Sequence, residues 1–172
     1  MKQEHARRAA DLLRAHRAAA LSTLHAGAPN IALTPYALLA DPAALVLHLS
    51  GLSAHTKDLR ADGRCALLVA EAERADAAPH TLARVALQAV AEELPPDHPR
   101  YAAARAAYTA RFPDLAGLFE LGDFALFALT PQTVRFVGGF AQAASLEPAS
   151  LAAALAEASA VAPTERPLRW TP

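Results

Sequence analysis

The 172-residue sequence predicts a mainly β fold with attached helices (α+β), organised as a small antiparallel barrel. Two observations point there. About six or seven short apolar segments are punctuated by Gly, Pro, Asn and Asp, and long strands nowhere alternate with long helices as a doubly wound parallel sheet requires. At this length one hydrophobic core is well supplied and two are not, so a single domain over residues 1–172 is expected.

The elements follow in order. Between Glu4 and Ala19 only Leu12 and Leu13 are large and apolar, and Arg7, Arg8, Arg14 and Arg17 bracket them, which predicts an amphipathic helix over about residues 3–19 that packs by one narrow face. "AALSTL", "HAGAPN" and "IALTPYALL" read as strand, turn and strand, and "ADPAA" turns the chain into "LVLHLS". Side chains alternate along a strand, so Leu45, Leu47 and Leu49 share a core side while Val46, His48 and Ser50 form a mixed one. "RCALLVAEAE" and "RVALQAVAEEL" are further strands, the second ending at Pro95 and Pro96, which have no N–H to give a ladder. Tyr101, Tyr108 and Phe112 recur near helical spacing, and "DFALFALTPQTVRFVGGF" reads as two strands turned at "TPQ". A last helix is expected over about residues 148–161, with Pro148 in its first turn where a missing N–H is harmless.

Charge narrows the partners. Sixteen Lys plus Arg oppose seventeen Asp plus Glu, so no global field draws nucleic acid or an acidic membrane, and any anion must be caught locally. Charges interrupt the N-terminal segment too often for a signal peptide or a span, and the single Cys65 sits among apolar neighbours, so a cytoplasmic protein with a buried thiol is expected. Much of the apolar fraction is alanine, so helices resting on alanine alone carry little weight. The seven histidines show no close pairing of the kind a zinc site uses, and no metal site is expected. No nucleophile elbow or triad order is present either.

One junction carries chemistry. In "LSGLSAHTKDLRADGRCALLV" an apolar strand breaks at Gly51, a short helix begins behind Ser53, and a strand resumes at Arg64. The first amides of a helix lack internal partners and its N-terminus is partly positive, so an anion can bind there, with His55, Thr56 and Lys57 adding donors. Spacing alone equally allows a surface helix capped by the Ser53 side chain, with Lys57 solvated.

The same residues resemble a known family. "HLSGLSAHTKDLRADGRCALLV" is similar to the strand, helix and strand segment of the pyridoxamine 5'-phosphate oxidase-like FMN-binding split barrels, and "GGFAQA" after "DFALFALTPQTVRFV" resembles the branch near the HugZ-type haem-utilisation proteins. The resemblance spans about Leu21 to Ala144 and implies a six- to seven-stranded split β-barrel homodimer with FMN at the subunit interface. It places Ser50 and the Gly51 backbone along the flavin, and Ser53, His55, Thr56 and Lys57 around the phosphate. Arg64 would start the next strand, Arg84 and Gln88 would approach from the partner, and Gly138, Gly139 and Phe140 would form a late loop beside the cofactor.

Departures from the family pattern bear on affinity. Ala54 stands where the oxidases carry an arginine, Ala32 where this branch often has a serine, and Ala86, Ala89 and Gln142 replace a common threonine, glycine and arginine. A charged phosphate contact is typically worth about 1.5 to 3 kcal/mol, so losing one lowers affinity roughly tenfold to a hundredfold. Three functions follow from the resemblance: a flavin-dependent oxidoreductase with an unknown small-molecule substrate and no identified catalytic residue, a haem-binding or haem-degrading protein, or a non-enzymatic flavin binder. The HugZ-type proteins ligate iron through a C-terminal histidine, whereas here no histidine follows His98, which ranks the haem reading second. His48 is expected to face the cofactor or the partner subunit. Phe124, Phe127 and Phe136 are expected in the core, Phe140 near the site, and Trp170 in a C-terminal tail.

Overall fold

The apolar alternation folds into eight strands and four α-helices in the computed structural model, which describes residues 1–76, 78–139 and 142–157. The helices are α1 (Lys2–Ala15), α2 (Ala54–Ala61), α3 (Tyr101–Arg111) and α4 (Pro148–Ala156). The strands are β1 (Ala18–His25), β2 (Ala28–Pro35), β3 (Ala37–Ala40), β4 (Ala43–Ser50), β5 (Arg64–Ala70), β6 (Arg84–Leu94), β7 (Phe124–Val137) and β8 (Ala143–Leu146). All pairings are antiparallel, in the order β2-β1-β5-β6-β7-β4-β3, with β8 beside the far half of β7. The two edge strands, β2 and β3, are consecutive stretches of chain separated only by Tyr36, so the sheet rolls onto itself without closing its ladder. This is a split barrel.

Three elements differ from expectation. The segment Ile31–Leu39 is two strands because Tyr36 turns inward, fully buried, and donates its hydroxyl to the Leu13 carbonyl at 2.7 Å. Conversely, β7 runs straight through "TPQ": Gln88 faces Thr133 while Ala89 faces Pro131, so Gln132 is the extra residue of a bulge that accommodates a proline lacking an N–H. Together with β8 this makes eight strands. The helix α1 stops at Ala15, and the strand β1 starts at Ala18 instead of continuing the helix to residue 19. The C-terminal helix begins at Pro148 as expected and is described to Ala156, while its expected last turn and Trp170 lie outside the described residues.

Side chains inside the barrel include Leu21, Leu45, Leu47, Leu67, Leu87, Phe127 and Phe136, and α1 and α4 join this core. A second core forms on the outer side of β4, where Val46, Leu126 and Ala128 meet Tyr108 and Phe112 of α3 and its C-cap. The side of β4 expected to be mixed is therefore buried as well, except at Ser50. Arg111 joins α3 to the N-terminal helix: its guanidinium donates to the Arg14 carbonyl at 3.0 Å and to those of Leu13 and His16, closing the end of α1, and lies over the Tyr36 ring. Among the described residues no helix is long and apolar enough to cross a membrane.

Candidate functional site

Where β4 ends, the chain must turn sharply into α2. The Gly51 amide donates to the Asp123 carbonyl at 2.6 Å, and a Cβ there would sit 2.9 Å from that oxygen, so only glycine fits without a shift. Ser50 donates its hydroxyl to Asp123 at 2.8 Å and accepts the Leu52 amide at 3.2 Å. Ser53 caps α2 in extended conformation, but its hydroxyl makes no bond to the helix amides, contrary to the capped-surface reading. The first intrahelical bond runs from the Lys57 amide to the Ser53 carbonyl at 3.3 Å, which leaves the amides of Ala54, His55 and Thr56 ahead of the ladder.

Those donors have company. Lys57 is exposed and makes no ion pair among the described residues, and His55 is partly buried, its pKa lowered by that burial against the opposing pull of Asp58. Thr56 is fully buried, and its hydroxyl has no partner among the described residues. An unsatisfied buried hydroxyl costs about 1 to 3 kcal/mol, and together with the open amides it makes this helix start a fit for the phosphate of a bound cofactor.

Next to it lies a cluster the sequence did not reveal. Asp58 is 4% exposed and accepts from Thr23 at 2.8 Å and Asn30 at 3.0 Å on one oxygen, while His25 Nδ1 lies 2.7 Å from the other. Burial works to raise its pKa, but the bonds from His25, Thr23 and Asn30 hold it below the usual carboxylate value. This fastens α2 to the β1–β2 hairpin.

The remaining expected residues fall into two further groups. Arg64, tied to Asp62 at 2.6 Å, and Gln88, which accepts from Thr133 at 3.2 Å, both line a groove of about 420 Å³ on the outer sheet face with Ser22, Leu24, Ala66 and Val90. Arg84, Gly138 and Gly139 sit at the opposite end of the ladder, because Arg64 faces Val90 and Arg84 faces Ala70. Six residues of strand separate them, about 20 Å. Arg84 donates to the Leu82 carbonyl at 3.1 Å, and Arg8 of α1 donates to the Gly138 carbonyl at 2.8 Å and to Gln142 at 2.9 Å, fixing the late loop from behind. Phe140 lies outside the described residues. One chain thus assembles the Ser53–Lys57 group and leaves Arg64 with Gln88, and Arg84 with the glycines, apart from one another.

The outer sheet face also carries exposed apolar side chains. Ile31 and Leu33 are 74% and 77% exposed, and Leu68 and Val90 lie on the same side of neighbouring strands. His48 belongs elsewhere: it is buried beside α3, stacked on Phe119 with 3.8 Å between ring centroids, with Tyr108 and Phe124 against it. Burial, and secondarily the nearby Arg105, pushes its pKa down to about 4, so the imidazole is neutral at pH 7.

Comparison with known proteins places this geometry. Residues 6–138 match the family model described as pyridoxamine 5'-phosphate oxidase. The chain is 34% identical over 122 residues to the chloroplastic non-canonical haem oxygenase HOZ of Arabidopsis thaliana, covering 71% of this chain and 36% of that protein. Among solved structures it resembles a haem-binding protein from Mycobacterium smegmatis, with TM-score 0.76 and 30% identity over 89% of this chain and 60% of that one. HutZ, a haem storage protein of Vibrio cholerae, shares the fold with TM-score 0.66 and 24% identity, covering 72% of this chain and 88% of its own. The chain therefore spans about a third of the length of its curated relative and three-fifths of the mycobacterial protein. An unclosed antiparallel barrel, an open helix start at the strand end and a family match over most of the chain agree: the protein belongs to the pyridoxamine 5'-phosphate oxidase family, near its haem-binding and HugZ-type members.

Proposed function

We propose that the chain forms a homodimer that binds FMN at the subunit boundary and acts as a flavin-dependent oxidoreductase. The open amides of Ala54, His55 and Thr56, next to a Lys57 without an ion pair among the described residues, carry this reading. They offer a phosphate dianion several donors and a helix N-terminus without any competing side-chain cap. The apolar outer face around Ile31 and Leu33 supports the dimer, because a monomer gains nothing from exposing it. By the family resemblance, a second chain would bring its own Arg84 and Gln88 toward the first chain's cofactor. When bound, flavin supplies the hydride or electron chemistry, while the protein holds the phosphate, covers the ring and orients it. A cytoplasmic setting is consistent with the lone thiol.

The test is FMN titration followed by quenching of its fluorescence. Lys57→Ala should weaken binding roughly tenfold or more, and Ala54→Arg, at an exposed position beside the same amides, should strengthen it. Unchanged affinity in both variants would overturn the phosphate assignment.

Haem binding is the second reading, favoured by the names of the two relatives at 30% and 34% identity. A haemin titration that produces a saturable Soret shift, displaced by no amount of FMN, would put haem first.

A further inference from the structure

The helix α2 that carries the open amides is short, and its apolar hold on the barrel is slight. Of Ala54–Ala61 only Thr56, Asp58 and Leu59 are buried, and Leu59 is its single large apolar side chain. Hydrophobic contact is non-directional, so one leucine keeps the helix down but leaves it free to roll and slide. At the far end the Arg60 guanidinium pairs with Glu93 of β6, but both side chains are partly exposed, and such pairs hold weakly.

Asp58 supplies the missing constraint. One of its oxygens accepts from the Thr23 hydroxyl at 2.8 Å and the Asn30 amide at 3.0 Å, and the other lies 2.7 Å from His25 Nδ1. The surface that receives it is built in advance. Thr23 and Asn30 are directly opposed in the β1–β2 ladder, and His25, two residues along, falls on the same face. The Ala26–Gly27 turn, with both residues at positive φ, closes the hairpin behind them in the tight form that fixes register. Bonds to a carboxylate are among the strong ones, and contacts from two strands fix it in angle as well as in position. Asp58 stands four residues from Ala54, roughly 6 Å along the helix axis, so a helix of this length carries the constraint to its first turn as one body.

We infer that Asp58, held by Thr23, His25 and Asn30, is a positioning residue that sets the angle at which the amides of Ala54, His55 and Thr56 and the Lys57 ammonium meet a phosphate, an inference that rests on the phosphate reading of the helix start. It acts through the helix and not by contact, because a carboxylate set against a phosphate would repel it. Binding groups must be held within about 0.5 Å of their productive geometry, and a second layer of hydrogen bonds is the usual means. Riboflavin carries the same ring as FMN without the phosphate, so the ratio of FMN to riboflavin affinity isolates what the helix start contributes.

The experiment titrates the full chain with FMN and with riboflavin, each followed by quenching of its own fluorescence. His25→Ala with Asn30→Ala removes two of the contacts to Asp58 from the hairpin side and leaves every residue of α2 in place. Its FMN-to-riboflavin ratio should fall roughly fivefold or more while riboflavin affinity stays as in the native chain. Asn30→Ala alone should lower the ratio in smaller measure. Asp58→Asn should keep it within about twofold of native, because the amide oxygen can accept from Thr23 and Asn30 while the NH2 donates to an unprotonated His25 Nδ1. A native ratio near one would overturn the phosphate reading itself and this inference with it. A native ratio well above one that Lys57→Ala lowers but both hairpin variants leave intact would sink the positioning role alone, as would equal losses of FMN and riboflavin affinity in the hairpin variants.

Discussion

Acid weakens this fold between about pH 6.5 and 4 through one imidazole. In the unfolded chain His48 titrates near its ordinary 6.5, whereas burial, with the nearby Arg105, lowers it to about 4 in the folded state. A depressed histidine pKa means that the unfolded state binds the proton first. The resulting destabilisation is absent above pH 6.5, grows as pH falls through the window, and levels off below about 4. A tenfold difference in proton affinity corresponds to about 1.4 kcal/mol, so the full window removes about 3 kcal/mol, a large share of the 5 to 15 kcal/mol that holds a typical domain. Because His48 is 5% exposed, solvent screening reduces this little. Urea unfolding at pH 7.5, 6.5, 5.5 and 4.5, for the native chain and His48→Phe, isolates the effect, since the partly buried His55 and all carboxylates remain in both. The native chain should lose about 2 kcal/mol more than the variant between pH 6.5 and 4.5. The variant should also match or exceed native stability at pH 7.5, having shed an unpartnered buried nitrogen. Parallel pH dependences of the two proteins would refute the argument.

Two other perturbations test how the molecule is held together. Arg111→Met removes the group that closes the end of α1 and leaves the carbonyls of Arg14 and His16 without that donor, while the Leu13 carbonyl keeps the Tyr36 hydroxyl; about 2 to 3 kcal/mol of stability should go, read as a lower thermal midpoint, and Arg111→Lys should recover only part because an ammonium cannot also lie flat over the Tyr36 ring. Ile31→Glu with Leu33→Glu places two charges on the exposed face of β2 without touching the core, so the monomer should stay folded while the sedimenting mass falls from dimer to monomer; a native chain that already sediments as a monomer defeats the interface assignment.

Local chemistry along the chain is enough to identify the antiparallel barrel and the helix start at Ser53, because strand alternation, turn residues and an unpaired first turn are properties of neighbouring residues. The proline in β7 misleads for the same reason: its missing N–H reads as a turn, and only the bulge opposite Gln88 and Ala89 absorbs it. Asp58 gives no local signal because its three partners, Thr23, His25 and Asn30, lie 28 to 35 positions away and meet it only when α2 docks on the hairpin. Alternation puts His48 on the side of its strand that it occupies, but whether that side meets solvent, a partner or Phe119 depends on where the segment after α3 comes to rest. Periodicity sets which way a side chain points. What stands opposite it, and therefore its charge state and chemistry, is decided by packing between segments far apart in the chain.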